Sequence, residues 1–178
     1  MAFTTEDYPG VEKRPSARSE GFTLNHSMLR VKEPARSLDF YTRIFGMRLL
    51  RRLDFRELSF TLYFLARLEP SEQPPENAGA RMEWTFGQRG VLELTHNWGT
   101  ENEDDFEYHD GNSEPQGFGH ICFAVPDLDD AVRWLDENDV EFVKRPDQGK
   151  LKDVAFVKDP DGYWIEIIEP ARLQQMGD

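Results

Sequence analysis

The chain has a single cysteine, Cys122, so no disulfide can form within it, and a reducing cytoplasm is the expected setting. Cys122 itself reads as a small core residue without chemistry of its own. Long hydrophobic runs are also missing, with nothing near the roughly 20 apolar residues that span a bilayer. The first residues, Met1-Ala2-Phe3-Thr4-Thr5-Glu6-Asp7, hold neither the basic nor the apolar part of a secretion signal. Basic residues are scarce. Against 34 aspartates and glutamates stand 21 lysines and arginines, a net charge of −13, which argues against nucleic acid and against an anionic membrane surface as partners. The 178 residues, 38% of them hydrophobic, are enough to bury a core, as one domain or as two small related modules.

What is present is one motif written twice. The stretch Gly117-Phe118-Gly119-His120-Ile121-Cys122-Phe123-Ala124-Val125 is a short apolar strand opened by glycines and carrying one imidazole. Laying His120 over His26 places Phe123 on Leu29, Val125 on Val31, Asp127 on Glu33 and Trp134 on Phe40. The fold class expected is therefore α+β: two tandem βαβββ modules with curved mixed sheets.

Residues 1–21 mix Pro9, Gly10, Pro15 and alternating charges without periodicity, and read as an arm, either disordered or wrapped over a partner. The first module is expected over 22–99. It opens with a strand from Phe22 to Val31 and a helix started by Pro34 and stopped by Gly46. Strands near 47–54 and 58–66 follow. An insertion at 67–86 reads as a proline- and glycine-punctuated loop, with 82–86 a further short strand, before the last strand at 91–96. The connection 100–116 carries seven acids and reads as solvated; it lacks the spacing of a calcium-binding EF-hand loop. The second module, 117–170, is expected to hold a strand, a helix capped by Asp127 and strands near 140–145, 153–158 and 162–168. Residues 171–178 form a tail.

The last strand of each module carries an unexpected charge. Glu93 stands in Gly90-Val91-Leu92-Glu93-Leu94, and Glu166 in Gly162-Tyr163-Trp164-Ile165-Glu166-Ile167-Ile168. A carboxylate in an apolar strand is costly to bury unless a cation or hydrogen bonds compensate it. Taken singly, a strand histidine is ordinarily a hydrogen-bonded structural residue, and a buried glutamate pairs with an arginine. Two of each, at corresponding places in a duplicated chain, make one coordinated ion the economical explanation. Alternation puts Arg30 on the face of His26 and Asn97 on the face of Glu93, while Leu29 and Val31 point the other way, toward the helices. His96 points away from Glu93 and His109 has no counterpart; both read as structural or surface residues. Two imidazoles and two carboxylates suit Zn²⁺, Ni²⁺, Co²⁺, Mn²⁺ or Fe²⁺. Such a thiolate-free site keeps positions open to substrate, where the ion acts as a Lewis acid and a carboxylate moves a proton.

The duplicated pattern resembles the vicinal-oxygen-chelate superfamily. Within it, Ser37-Leu38-Asp39-Phe40-Tyr41, Leu92-Glu93-Leu94-Thr95-His96-Asn97-Trp98-Gly99, Gly117-Phe118-Gly119-His120-Ile121 and Asp159-Pro160-Asp161-Gly162-Tyr163-Trp164-Ile165-Glu166-Ile167 are similar to the glyoxalase I (lactoylglutathione lyase) family. These motifs occur in the family's order from about residue 22 to 169. The resemblance implies an isomerase that converts the hemithioacetal of glutathione and methylglyoxal into S-D-lactoylglutathione, by proton transfer through a metal-stabilised enediolate. It implies His26, Glu93, His120 and Glu166 as metal ligands, with Glu166 the acid/base and Glu93 serving the opposite epimer. It implies glutathione contacts at Arg30, Asn97, Lys144, Lys150 and Leu151, whose cations and amide suit a thiol with two carboxylates. It further implies a C2 homodimer in which His26 and Glu93 of one chain meet His120 and Glu166 of the other. The arm and the insertion resemble the zinc-using long form, so Zn²⁺ is expected, with Ni²⁺ or Co²⁺ as alternatives. The family's arginine before the Phe-Gly-His stretch is Gln116 here, which exchanges a charge-assisted hydrogen bond for a neutral one at a cost of about 1 kcal/mol. Rival readings are a dioxygenase, an epimerase or a thiol transferase of the same fold, or a metal-free binding module. A dioxygenase would want two histidines and one carboxylate, against four donors here, and a binding module has no need of buried His and Glu.

Overall fold

The computed structural model describes residues 9–14 and 16–175. Residues 1–8 and 15 of the expected arm, and 176–178 of the expected tail, lie outside the described residues. The first half of the chain runs β1 (His26–Arg30), α1 (Pro34–Asp39), β2 (Arg48–Phe55), β3 (Phe60–Ala66), α2 (Ala78–Gly87) and β4 (Val91–Asn97). The second half runs β5 (His120–Ala124), α3 (Leu128–Glu137), β6 (Phe142–Lys144), β7 (Val154–Lys158) and β8 (Trp164–Ile168). Each half makes a four-stranded mixed sheet, ordered β1-β4-β3-β2 and β5-β8-β7-β6, with the first strand of each parallel to the last.

Local chemistry accounts for the elements. Pro34 starts α1 where its missing N–H is harmless. The helix widens into a π turn over Phe40–Ile44 and stops at Gly46, whose φ of +62° suits glycine. Asp127 caps α3, its carboxylate accepting from the Asp130 amide at 2.8 Å. Two expectations need correction. The first strand begins only at His26; Phe22 and Leu24 lie outside the ladder, more than four-fifths exposed. Residues 82–86 are helix, not strand. Asn77 caps α2 by accepting from the amides of Gly79 and Ala80, and a five-residue alternation is too short to separate a period of 2 from one of 3.6.

The two sheets share one core. Leu29, Leu92 and Leu94 of the first sheet pack in the same cluster as Ile165 and Ile167 of the second and Leu128 and Leu135 of α3. The halves are also pinned by polar contacts. The Tyr41 hydroxyl donates to Asp159 at 2.8 Å, the Ser37 hydroxyl to Asp161 at 3.0 Å, and the Trp134 indole to the Ile44 carbonyl at 3.0 Å. Because strand side chains alternate, a sheet that turns Leu92, Leu94, Ile165 and Ile167 inward turns Glu93 and Glu166 outward. The fold thus aims its two unusual carboxylates away from each other. Among the described residues no helix is long and apolar enough to cross a membrane.

Candidate functional site

On the outer face of the first sheet, His26 Nε2 lies 3.1 Å from Glu93 Oε2. The second Glu93 oxygen accepts the Thr95 hydroxyl at 3.1 Å. Asn25 orients the ring: its Oδ1 is 2.7 Å from His26 Nδ1, while its Nδ2 donates to the carbonyls of Phe86 at 3.0 Å and Gln88 at 2.8 Å. An amide whose nitrogen faces two carbonyls offers only an acceptor at its oxygen, so Nδ1 carries the proton. Nε2 of the neutral ring then points a lone pair at a carboxylate. Only positive charge between them makes that favourable, either a further proton or a metal ion. Phe64 and Phe86 stand edge-on to the ring at 5.9 and 6.3 Å, so the end of α2 walls one side.

The second sheet repeats this plan. His120 Nε2 lies 3.5 Å from Glu166 Oε2. Cys122 neighbours Glu166 across the parallel pair as Met28 neighbours Glu93. Phe156, opposite Glu166, stands edge-on to His120 at 5.3 Å, as Phe64, opposite Glu93, does to His26. Cys122 is not a core residue as expected. It is exposed, because two residues on from His120 the strand returns to the same face. Partial burial of its sulfur, then a hydrogen bond to Glu166, push the thiol up to about 12. The expected solvated connection is also more structured than its charge suggests. Its acids are largely exposed, yet Gly111 O accepts from Gly117 N at 2.8 Å and Asn112 Nδ2 donates to Gly119 O at 2.5 Å, just before His120.

The donor set fits a divalent ion. Two donors about 2.1 Å from one ion, at angles between octahedral and tetrahedral, stand about 3.0–3.4 Å apart. The two pairs, at 3.1 and 3.5 Å, are close to that spacing. The four donors do not meet within one chain, however. Among the described residues no group of three His, Cys, Asp or Glu side chains comes together to hold a metal ion, as the outward-facing sheets require. The substrate candidates divide the same way. Arg30 and Asn97 share the outer face with His26 and Glu93, and Asn97 donates to the Tyr108 hydroxyl at 3.1 Å. Lys144, Lys150 and Leu151 belong to the second half. Lys150 and Leu151 are exposed, whereas Lys144 Nζ is held by the Val154 carbonyl at 2.6 Å, with burial lowering its pKa. His96 is structural, bonded to Glu101 at 2.7 Å, and His109 accepts from the Gly111 amide at 2.9 Å.

The Glyoxalase/Bleomycin resistance protein/Dioxygenase superfamily matches residues 23–167. A lactoylglutathione lyase of Pseudomonas aeruginosa is 54% identical over 99% of both chains. The chain belongs to the lactoylglutathione lyase family of the glyoxalase superfamily. Glyoxalase I of Saccharomyces cerevisiae is 46% identical over 98% of this chain and 53% of its own. The solved trypanothione-dependent glyoxalase I of Leishmania major superposes with a TM-score of 0.63 at 30% identity, over 85% of this chain and 89% of that one. For this glyoxalase, motif and spacing point to the four outward donors but not to the residues around them. Asn25 carries a weak signal, as an amide adjoining a strand histidine. Gly111 and Asn112 lie in an Asp-Gly-Asn-Ser turn signature. Phe64 and Phe156 become recognisable only from the strand register.

Proposed function

We propose that the chain acts as glyoxalase I, isomerising the hemithioacetal of glutathione and methylglyoxal to S-D-lactoylglutathione in a reducing cytoplasm, as a homodimer with two shared sites. The observation that carries this reading is the pair of His–Glu half-sites, turned outward from one core so that each needs a second chain to complete it. In such a dimer His26, Glu93, Arg30 and Asn97 of one chain face His120, Glu166, Lys144, Lys150 and Leu151 of the other. His26, Glu93, His120 and Glu166 would hold a divalent ion, for which we take Zn²⁺. Such an ion would supply Lewis-acid polarisation of substrate oxygen.

The residues do the rest. Glu166 takes the proton from C1 of the hemithioacetal and returns it to C2 while the hydroxyl proton passes from the C1 oxygen to the C2 oxygen, so C1 becomes the thioester carbonyl and C2 the carbinol. Glu93, its counterpart across the duplication, serves the opposite epimer. Arg30 and Asn97 meet one glutathione carboxylate, and Lys150 with Lys144 the other. Gln116 offers a neutral amide where the family has a cation, so the affinity for glutathione rests more heavily on Arg30. The test is thioester formation from methylglyoxal and glutathione, followed by absorbance. Chelator should abolish it and Zn²⁺ restore it. Glu166→Gln should lower kcat at least 100-fold, on the order of a lost general acid/base. Full activity in Glu166→Gln would refute the proton transfer assigned to it.

A further inference from the structure

We propose that Asn25 is a positioning residue of the metal site, holding His26 in the tautomer that presents Nε2 and tying that ring to the end of α2. The inference rests on reading His26 as a ligand. Asn25 sits just ahead of β1, and its carbonyl accepts from the Val91 amide at 3.1 Å, which fixes its backbone to the first residue of β4. From there its side chain spans to α2. A helix leaves its last carbonyls without partners, and Phe86 O, in the final turn, takes one amide hydrogen at 3.0 Å. Gln88 O, just past the helix, takes the other at 2.8 Å.

With both hydrogens engaged the amide cannot flip, and Oδ1 is left to accept from Nδ1 at 2.7 Å. A histidine that ligates through one nitrogen is held by what its other nitrogen donates to. Without that acceptor the imidazole is free to carry its proton on Nε2, presenting an N–H where a lone pair is needed. The same amide keeps Phe86, edge-on to His26, at a fixed distance from the ring. Asn25 thereby joins the metal-binding strand to the wall beside it.

The test challenges the zinc-loaded full-length protein with graded chelator and measures the metal retained, alongside thermal unfolding. Asn25→Leu removes both functions of the amide and is expected to weaken zinc retention about 10- to 100-fold. Asn25→Asp keeps an acceptor for Nδ1–H and loses the two donations to α2. It is expected to melt earlier yet retain zinc within about threefold of wild type. Wild-type retention in Asn25→Leu overturns the proposal. So does equal weakening in Asn25→Asp and Asn25→Leu, which would make Asn25 only a cap for α2. If Asn25→Leu does not fold, Asn25→Ala carries the same comparison. Unchanged retention in His26→Ala instead overturns the assignment of His26 as a ligand, a failure separate from that of Asn25.

Discussion

Asp159 is almost fully buried and accepts three hydrogen bonds, from the Tyr41 hydroxyl at 2.8 Å and from the amides of Asp161 and Tyr163, each at 2.9 Å. Those donors favour the carboxylate. Burial opposes them more strongly and, with the nearby Asp161 charge, pushes the group up to about 6. Between about pH 4 and 6 the folded chain therefore binds a proton that the unfolded chain has lost. The unfolded state binds fewer protons, so this residue's contribution makes stability fall as pH rises through that window. The size is on the order of 2–3 kcal/mol for about two units. The substitution Asp159→Asn keeps an oxygen for the two amides and meets the Tyr41 oxygen with an N–H of its own. Denaturant unfolding of both proteins from pH 4 to 7 should show the variant gaining on wild type by that amount as pH rises. A flat difference would mean Asp159 titrates in the ordinary range. The motif Asp159-Pro160-Asp161-Gly162 is plain in the sequence, but its partners Ser37 and Tyr41 lie more than a hundred residues away, and no local pattern links them.

At the scale of elements, the turn around Asp110 shows why charge alone misreads the acidic connection. Net charge describes how a segment meets water, not which backbone groups it holds. Asp110 accepts from the amides of Asn112 at 2.9 Å and Ser113 at 2.8 Å, and these bonds, led by Ser113, hold its carboxyl below the usual range. The turn so fixed presses on the entry to β5. A Cβ on Gly111, whose φ is +85°, would lie 1.7 Å from the Phe118 carbonyl oxygen, with backbone on both sides and nowhere to move. Gly111→Ala should therefore cost at least about 2 kcal/mol in denaturant unfolding. Asn112→Asp is the finer probe. It sets a carboxylate oxygen against the Gly119 carbonyl, in the peptide plane that also carries the His120 amide. Zinc retention against chelator should fall about tenfold, with a smaller loss of stability. Equal retention would show that β8 alone positions His120. The strands that carry donors are legible because period 2 and the repeat reinforce each other. α2 is not, since nothing in the second half repeats it and its cap, Asn77, lies among prolines that read as loop.

At the scale of the molecule, the duplication pairs His26 with His120 and sets Glu93 and Glu166 at corresponding places, but it does not show that one chain keeps them apart. Separation follows from the shared core, which draws Leu92, Leu94, Ile165 and Ile167 inward, a long-range packing choice that alternation within a strand leaves open. Within each sheet the first strand, β1 or β5, is paired on one side only and presents an edge that a second chain can cover. Complementation tests the resulting assembly directly. His26→Ala damages every first half-site and His120→Ala every second, so each homodimer loses both sites and should be nearly inactive. In a mixed dimer, one site combines the two damaged halves. The other combines the intact His26 half of one chain with the intact His120 half of its partner. Random pairing makes half the dimers mixed, so chains refolded together should recover about a quarter of wild-type activity for a C2 dimer with shared sites. Sites built within single chains would leave the mixture as inactive as its parents.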